Sequence, residues 1–224
     1  MTIAERLTEV RERIASAARS SGRDSDAVTL VVVTKAVGLD DVRAALRAGA
    51  VDLGENRAQD LVAKAEAVAG DDEEFAPRWH FIGRLQRNKV RAVAPHVALW
   101  ESIDRVELAV EVGTRAPGSA VLVQINVTGE AQKGGCAPES AGAVVDACRA
   151  NGCVVEGLMT VPPAEGDPRA VFARVRRMTD DLGLRVCSMG MSGDYEIAVA
   201  EGATMVRVGS AIFGPRQSGA GARR

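Results

Sequence analysis

The sequence predicts an α/β protein built as a single closed (β/α)8 barrel with one extra helix at its N-terminus. Three observations predict it. Short apolar, β-branched runs alternate with helical patterns along the chain, which argues for a parallel sheet. Eight such units fit within 224 residues, a length that suits a closed barrel better than an open doubly wound sheet. No linker separates the two halves, so residues 1–216 read as one domain and the Gly/Ala/Arg-rich stretch 217–224 as a disordered tail.

The elements follow in order. Ile3, Leu7, Val10 and Ile14 recur at helical spacing, so 2–20 is the extra amphipathic helix. Residues 28–35 form a β-branched run that suits a strand buried on both faces, and it ends in Lys35. Helix 40–48 closes at Gly49, a C-terminal glycine cap. Strand 51–53 leads into Gly54-Glu55-Asn56 and helix 57–69. An acidic loop, 70–74, precedes strand 79–83; helix 86–94 stops before Pro95. Strand 97–100 and helix 103–115 complete the first half. The second half runs through strand 120–126, the loop 129–138, a helix to 150, strand 154–158 and the loop 159–167. Helix 170–181, strand 185–188, helix 194–200, strand 204–208 and a turn at 211–213 follow. This is the TIM-barrel arrangement.

Composition excludes several functions. A net charge of -2 with 3% aromatics gives no electrostatic or stacking platform for nucleic acid. No apolar run approaches the roughly 20 residues that span a bilayer, so no membrane partner is expected. Residues 1–19 are charged throughout and lack a signal-peptide core. Cys136, Cys148, Cys153 and Cys187 form no C-x-x-C pair, so neither disulfides nor a metal site is expected and a reducing cytoplasm is the default.

The chemistry starts at Lys35. An ammonium at the end of a buried strand is costly unless something uses it. Desolvation favours a neutral amine, which condenses with an aldehyde or ketone; the structural alternative is a lysine whose stem snorkels to water. Barrel enzymes carry their sites at the C-terminal strand ends and often hold phosphate after strands seven and eight. Those two places carry Gly190-Met191-Ser192-Gly193 and Gly209-Ser210. Glycine lets backbone N–H groups approach an anion and serine adds a donor, although each turn alone also reads as an ordinary capped helix start. Arg207 sits inside an apolar strand and needs an acceptor if it points inward: a pyridine nitrogen, or a carboxylate such as Glu55 or Asp194. Asn56 and His80 end strands two and three and so share the Lys35 rim, His80 as a base or as a hydrogen-bonded packing residue. The basic residues Arg84, Arg87, Lys89 and Arg91 read as a solvated helix face. The loop 129–135, with Lys133, reads as a mobile segment over the rim.

These residues carry a family resemblance. The motifs are Val33-Thr34-Lys35, Gly54-Glu55-Asn56, Trp79-His80-Phe81-Ile82-Gly83-x-Leu85-Gln86-x-Asn88-Lys89, Ser102-Ile103-Asp104, Gly157-Leu158-Met159, Ser188-Met189-Gly190-Met191-Ser192 and the run from Val206 to Gly214. Together they resemble the pyridoxal phosphate homeostasis proteins (the YggS/PROSC family) over about residues 30–214. The resemblance implies a barrel like the N-terminal domain of alanine racemases, with pyridoxal 5'-phosphate as cofactor and an internal aldimine on Lys35. It implies phosphate contacts from Ser192, Gly193, Gly209 and Ser210, with Arg207 near the pyridine nitrogen and Asn56 beside the ring. His80 stays among the candidate cofactor contacts. Departures are Leu53, where an aromatic is common, and Cys187, where leucine is common.

Members of that family resemble carriers or regulators of vitamin B6 pools without established turnover, with pyridoxal phosphate-dependent apoenzymes as candidate recipients. The residue inventory agrees. Racemisation needs a base on each face of the cofactor. Lys35 serves one face, and the other would fall to Tyr195, His80 or Cys136, none of them marked for it by the sequence. The expectation is therefore a non-enzymatic binder, with an amino-acid racemase or a cofactor-free Schiff-base aldolase as alternatives. A closed barrel has no open sheet edge, so a monomer is expected.

Overall fold

The computed structural model describes residues 1–71, 75–130, 133–163 and 165–215. The tail expected at 217–224, and parts of the loops 70–74 and 129–138, lie outside the described residues.

Eight strands pair in sequence order into a closed barrel: β1 (Thr29–Val33), β2 (Asp52–Glu55), β3 (Arg78–Phe81), β4 (Val97–Ile103), β5 (Ala120–Ile125), β6 (Val154–Thr160), β7 (Val186–Ser188) and β8 (Met205–Val208). All pairs are parallel, and β8 closes on β1 with Val31 opposite Arg207. The helices are α1 (Ile3–Ser20), α2 (Leu39–Arg47), α3 (Ala58–Ala69), α4 (Arg87–Val93), α5 (Val106–Arg115), α6 (Ala141–Ala150), α7 (Arg169–Asp181), α8 (Tyr195–Ala200) and α9 (Ser210–Phe213). Among the described residues no helix is long and apolar enough to cross a membrane.

The extra helix starts where the sequence can satisfy its free donors. Thr2 Oγ1 accepts from Glu5 N–H (3.2 Å) and Glu5 Oε2 accepts from Thr2 N–H (2.8 Å), a capping box. Its apolar stripe, Leu7, Val10, Ile14 and Ala18, is buried, and the helix packs on α8, α9 and α2 across the outside of the β8–β1 seam.

Two apolar regions result. The larger lies between sheet and helices and includes Val32, Leu53, Trp79, Phe81, Trp100 and Val206. The smaller one, Val31, Leu99, Leu122, Met159 and Met205, packs as a separate cluster formed by alternate strand residues. Further along the same strands, toward their C-terminal ends, the buried residues become polar: His80, Glu101, Ser188 and Arg207.

Several placements differ from the sequence reading, and three of them bear on the site. β1 ends at Val33, so Lys35 stands in a turn two residues beyond the strand. β4 runs on through Glu101 and Ser102 to Ile103, all buried, and α5 begins only at Val106. The polar pair looked like a strand end because the partners of Glu101, His80 and Ser188, lie on other strands. His80 lies within β3, opposite Gly54 and Leu99, and is not at the rim. Gly157, part of a motif, has a packing duty: a Cβ there would stand 1.8 Å from Val186 O across the β6–β7 pair.

Candidate functional site

A cavity of about 300 Å3 opens at the C-terminal ends of the strands between β1 and β8. Its polar wall is Lys35, Ser192, Gly193, Arg207, Gly209 and Ser210, and its apolar wall includes Val37, Ile82, Met191 and Phe213. The volume stands at the small end of the range for ligand pockets.

Lys35 is held from behind. Thr34 N–H donates to Gly54 O (2.9 Å), and Thr34 Oγ1 donates to Glu55 Oε1 (2.8 Å). Glu55 is fully buried and paired with Lys64, whose Nζ also donates to Thr34 O (2.7 Å). Val37 N–H then donates back to Thr34 O (3.0 Å), which closes a tight turn with Lys35 and Ala36 at its centre. Ala36 takes φ +60°, a left-handed conformation uncommon outside glycine.

Across the cavity, backbone donors converge on one point. Gly209 N–H (3.1 Å) and Ala211 N–H (3.3 Å) both donate to Ser192 Oγ, so a single oxygen is seated where the two glycine–serine turns meet. Gly193 borders the cavity with nothing within 4 Å of a would-be Cβ, leaving room for a ligand to approach the backbone. The turn itself is tied by Met191 N–H donating to Asp194 Oδ1 (2.6 Å). Gly209 also serves packing, because a Cβ would meet Val33 O at 3.0 Å. The four-residue α9 is too short for much macrodipole, so what its start offers is individual N–H groups.

Arg207 points inward and is buried, and neither Glu55 nor Asp194 hydrogen-bonds it. Its Nη1 donates to Ser188 Oγ (2.6 Å) and its Nη2 to Thr160 O (2.7 Å), with Glu101 Oε2 at 3.9 Å. Ser188 Oγ in turn donates to Glu101 Oε2 (2.6 Å), and His80 bridges Glu101 (2.8 Å) to Asp52 (3.0 Å). Burial alone would lower the His80 pKa, but hydrogen bonds to Asp52 and Glu101 raise it to about 9. Burial would likewise raise the Glu101 carboxyl, yet His80 and Arg207 hold it below its usual range. Burial lowers the Arg207 pKa, and the nearby Glu101 and Asp194 charges oppose that. Two cations thus face two carboxylates inside the barrel, and the pairing offsets much of the desolvation cost.

A family model described as "Alanine racemase, N-terminal domain" matches residues 6–217. The chain is 41% identical over 229 residues to the pyridoxal phosphate homeostasis protein of Pseudomonas aeruginosa, covering 98% of each chain. The chain belongs to the pyridoxal phosphate homeostasis family. It is also 39% identical to the family member of Aquifex aeolicus, covering 97% of this chain and 100% of that one. Among solved structures, PipY of Synechococcus elongatus with PLP bound superposes with a TM-score of 0.81 at 30% identity, covering 95% of this chain and 100% of PipY. Alanine racemase of Bacillus anthracis shares the fold alone, with a TM-score of 0.66 at 15% identity, covering 95% of this chain and 57% of the racemase. The curated relatives are named as homeostasis proteins, not as enzymes.

In this homeostasis-family chain the structure brings Lys35, Ser192, Gly193, Arg207, Gly209 and Ser210 to one cavity. Asn56 lines a neighbouring crevice that it shares with Lys35. His80 is not brought to the cavity, and both its ring nitrogens are engaged by carboxylates below the rim. The sequence reading missed Lys64, Glu101, Ser188 and Thr160 as supports. Glu101-Ser102 after an apolar run and Ser188 at the end of another were the available signals, because polar residues buried in strands need partners.

Proposed function

We propose that this chain holds pyridoxal 5'-phosphate covalently through Lys35 and serves its homeostasis as a carrier rather than a catalyst. One observation carries the reading: Lys35 borders the same small cavity as Ser192, Gly193, Gly209 and Ser210, where the N–H groups of Gly209 and Ala211 converge on Ser192 Oγ. Serine hydroxyls, free glycine backbone and an amine form the donor set that a phosphorylated aldehyde requires, and PipY, a relative at 30% identity, has been solved with PLP bound. The bound group supplies an aldehyde for the amine and, where an enzyme uses it, an electron sink. Ser192, Gly193, Gly209 and Ser210 would hold the phosphate, with Asn56 on the ring flank. Arg207, fixed by Ser188 and Thr160, would offer positive charge to the ring nitrogen and oppose its protonation, which weakens the sink.

The racemase alternative lacks support at the second face. His80 is an imidazolium at neutral pH with both nitrogens engaged, so it has no lone pair to accept a proton. Burial pushes the Cys136 thiol up to about 11, and Cys136 does not line the cavity. Tyr195 is buried on α8, with Arg13 of α1 over its ring at 5.7 Å. An aldolase would need an acid–base pair beside Lys35, and among the described residues no carboxylate, histidine or tyrosine lines the cavity. The reading extends to one domain over residues 1–216, a monomer whose closed barrel leaves no sheet edge, and delivery to cofactor-dependent apoenzymes. A reducing cytoplasm fits its four free thiols.

The purified protein should be yellow, and borohydride should remove the absorbance band and fix the pyridoxyl mass on Lys35. A colourless protein that does not take up the cofactor would reject the carrier reading. Exchange of amino-acid α-protons in heavy water at about 1 per second or faster would establish an enzyme instead.

A further inference from the structure

Beside the Lys35 cavity lies a larger one, about 580 Å3, between the loops that follow β2 and β3 and the start of α5. Four cations line it, Arg57, Arg84, Lys89 and Arg105, against one carboxylate, Asp104. Asp104 is already taken: Arg105 pairs with it while donating to Leu85 O (3.1 Å). Arg57, Arg84 and Lys89 make no ion pair among the described residues, whereas elsewhere Arg43 is matched to Asp71 and Arg176 to Asp180. The fold forces this gathering of like charge. Gly83 packs so closely on the Asn56 backbone that a Cβ would stand 2.0 Å from Asn56 O, which sets Arg84 beside the loop that carries Arg57. A crevice lined by Lys35, Ala36, Asn56, Arg57 and Asp60 shares Asn56 and Arg57 with this cavity and Lys35 with the other.

We infer that this basic cavity is a second, non-covalent site for a small phosphate monoester, placed to stage phosphorylated pyridoxal on its way to or from Lys35. Guanidinium groups match phosphate oxygens in bidentate fashion, and a concave space of this volume suits a small molecule better than a macromolecular surface. Held there by its dianion, the ligand would have the crevice as a path for its aldehyde to the amine. The staging role rests on the proposed function; the anion site does not.

Pyridoxamine 5'-phosphate, an amine that cannot condense with Lys35, is the probe. Protein already loaded at Lys35 should bind one further equivalent in equilibrium dialysis, with unphosphorylated pyridoxamine failing to bind and inorganic phosphate competing. The Arg84→Gln/Lys89→Gln double variant, at residues that line neither the Lys35 cavity nor the crevice, should bind it about tenfold or more weakly, with the Lys35 absorbance band unchanged; Arg57→Gln should weaken it in the same direction. No uptake by the loaded protein, equal uptake of the unphosphorylated amine, or uptake indifferent to these substitutions would overturn the site. Arginine-dependent uptake by a protein that never colours would sink the Lys35 reading and leave this site standing.

Discussion

Thr34 Oγ1 donates to Glu55 Oε1 at 2.8 Å, and Lys64 Nζ joins both residues by pairing with Glu55 and donating to Thr34 O at 2.7 Å. This clamp fixes the residue directly before the reactive amine, yet none of its members lines the cavity. Glu55→Ala would leave a largely buried ammonium and a buried hydroxyl without their partner and should cost about 3 kcal/mol. Lys64→Met should cost a similar amount. The double variant Glu55→Ala/Lys64→Met should recover much of the loss, because neither charge is then stranded. Urea unfolding of the four proteins checks this, and strictly additive losses would show that the clamp is not a unit.

The interior network makes stability depend on pH through His80. Its folded pKa, about 9, lies above the ordinary value of 6.5. The stabilisation is therefore complete below about pH 6.5 and is lost as pH rises through 9. The charges facing the ring are Asp52, itself held by Arg78, and Glu101, backed by Arg207. The unfolding free energy should fall by up to about 3 kcal/mol across that window, with a slope no steeper than about 1.4 kcal/mol per pH unit. His80→Gln should be less stable at pH 6 and nearly flat from 6.5 to 9. A wild-type curve flat over the same range would mean that His80 is neutral in the folded protein.

What was legible in the sequence, and what was not, follows from how far apart the partners lie. Lys35 and the Ser192 and Gly209 turns stood out because each breaks a local pattern: a charge ending a β-branched run, or glycine and serine where a strand meets a helix. Alternation was enough for the barrel, since each β/α unit is local. Arg207 was recognised as needing an acceptor, but Ser188, Thr160 and Glu101 come from β7, β6 and β4. Nothing in the spacing of 19, 47 and 106 residues tells which strands converge, and only closure of the sheet does so. His80 was misplaced at the rim for the same reason: its partners, Asp52 and Glu101, are 28 and 21 residues away on neighbouring strands.

Ala36 stores strain next to the amine. At φ +60° a Cβ costs about 1 kcal/mol, and the Val37 N–H bond to Thr34 O (3.0 Å) holds the turn in place. Ala36→Gly removes the clash while adding freedom to the unfolded chain, so its net gain should be small, up to about 0.5 kcal/mol. Ala36→Val places a β-branched residue in the same conformation and should cost about 1–2 kcal/mol. Denaturation midpoints at unchanged m-value measure both. A valine variant as stable as wild type would mean that the turn relaxes to negative φ without loss.

Gly83 and Gly193 should respond in opposite ways to the same added methyl group. Gly83→Ala puts a Cβ 2.0 Å from Asn56 O, a backbone atom that cannot swing aside, so the two loops must separate. A loss of about 3 kcal/mol or more is expected, together with weaker cofactor retention, since Asn56 borders the Lys35 crevice. Gly193 has neither a left-handed backbone nor any atom within 4 Å of the new Cβ. Gly193→Ala should therefore leave the melting temperature within a degree or two of wild type, a change of under about 0.5 kcal/mol. Because Gly193 lines the cavity next to Ser192, the cofactor affinity should nevertheless fall severalfold. Intact affinity in Gly193→Ala would remove that residue from the phosphate seat and leave the anion to Ser192, Gly209 and Ser210.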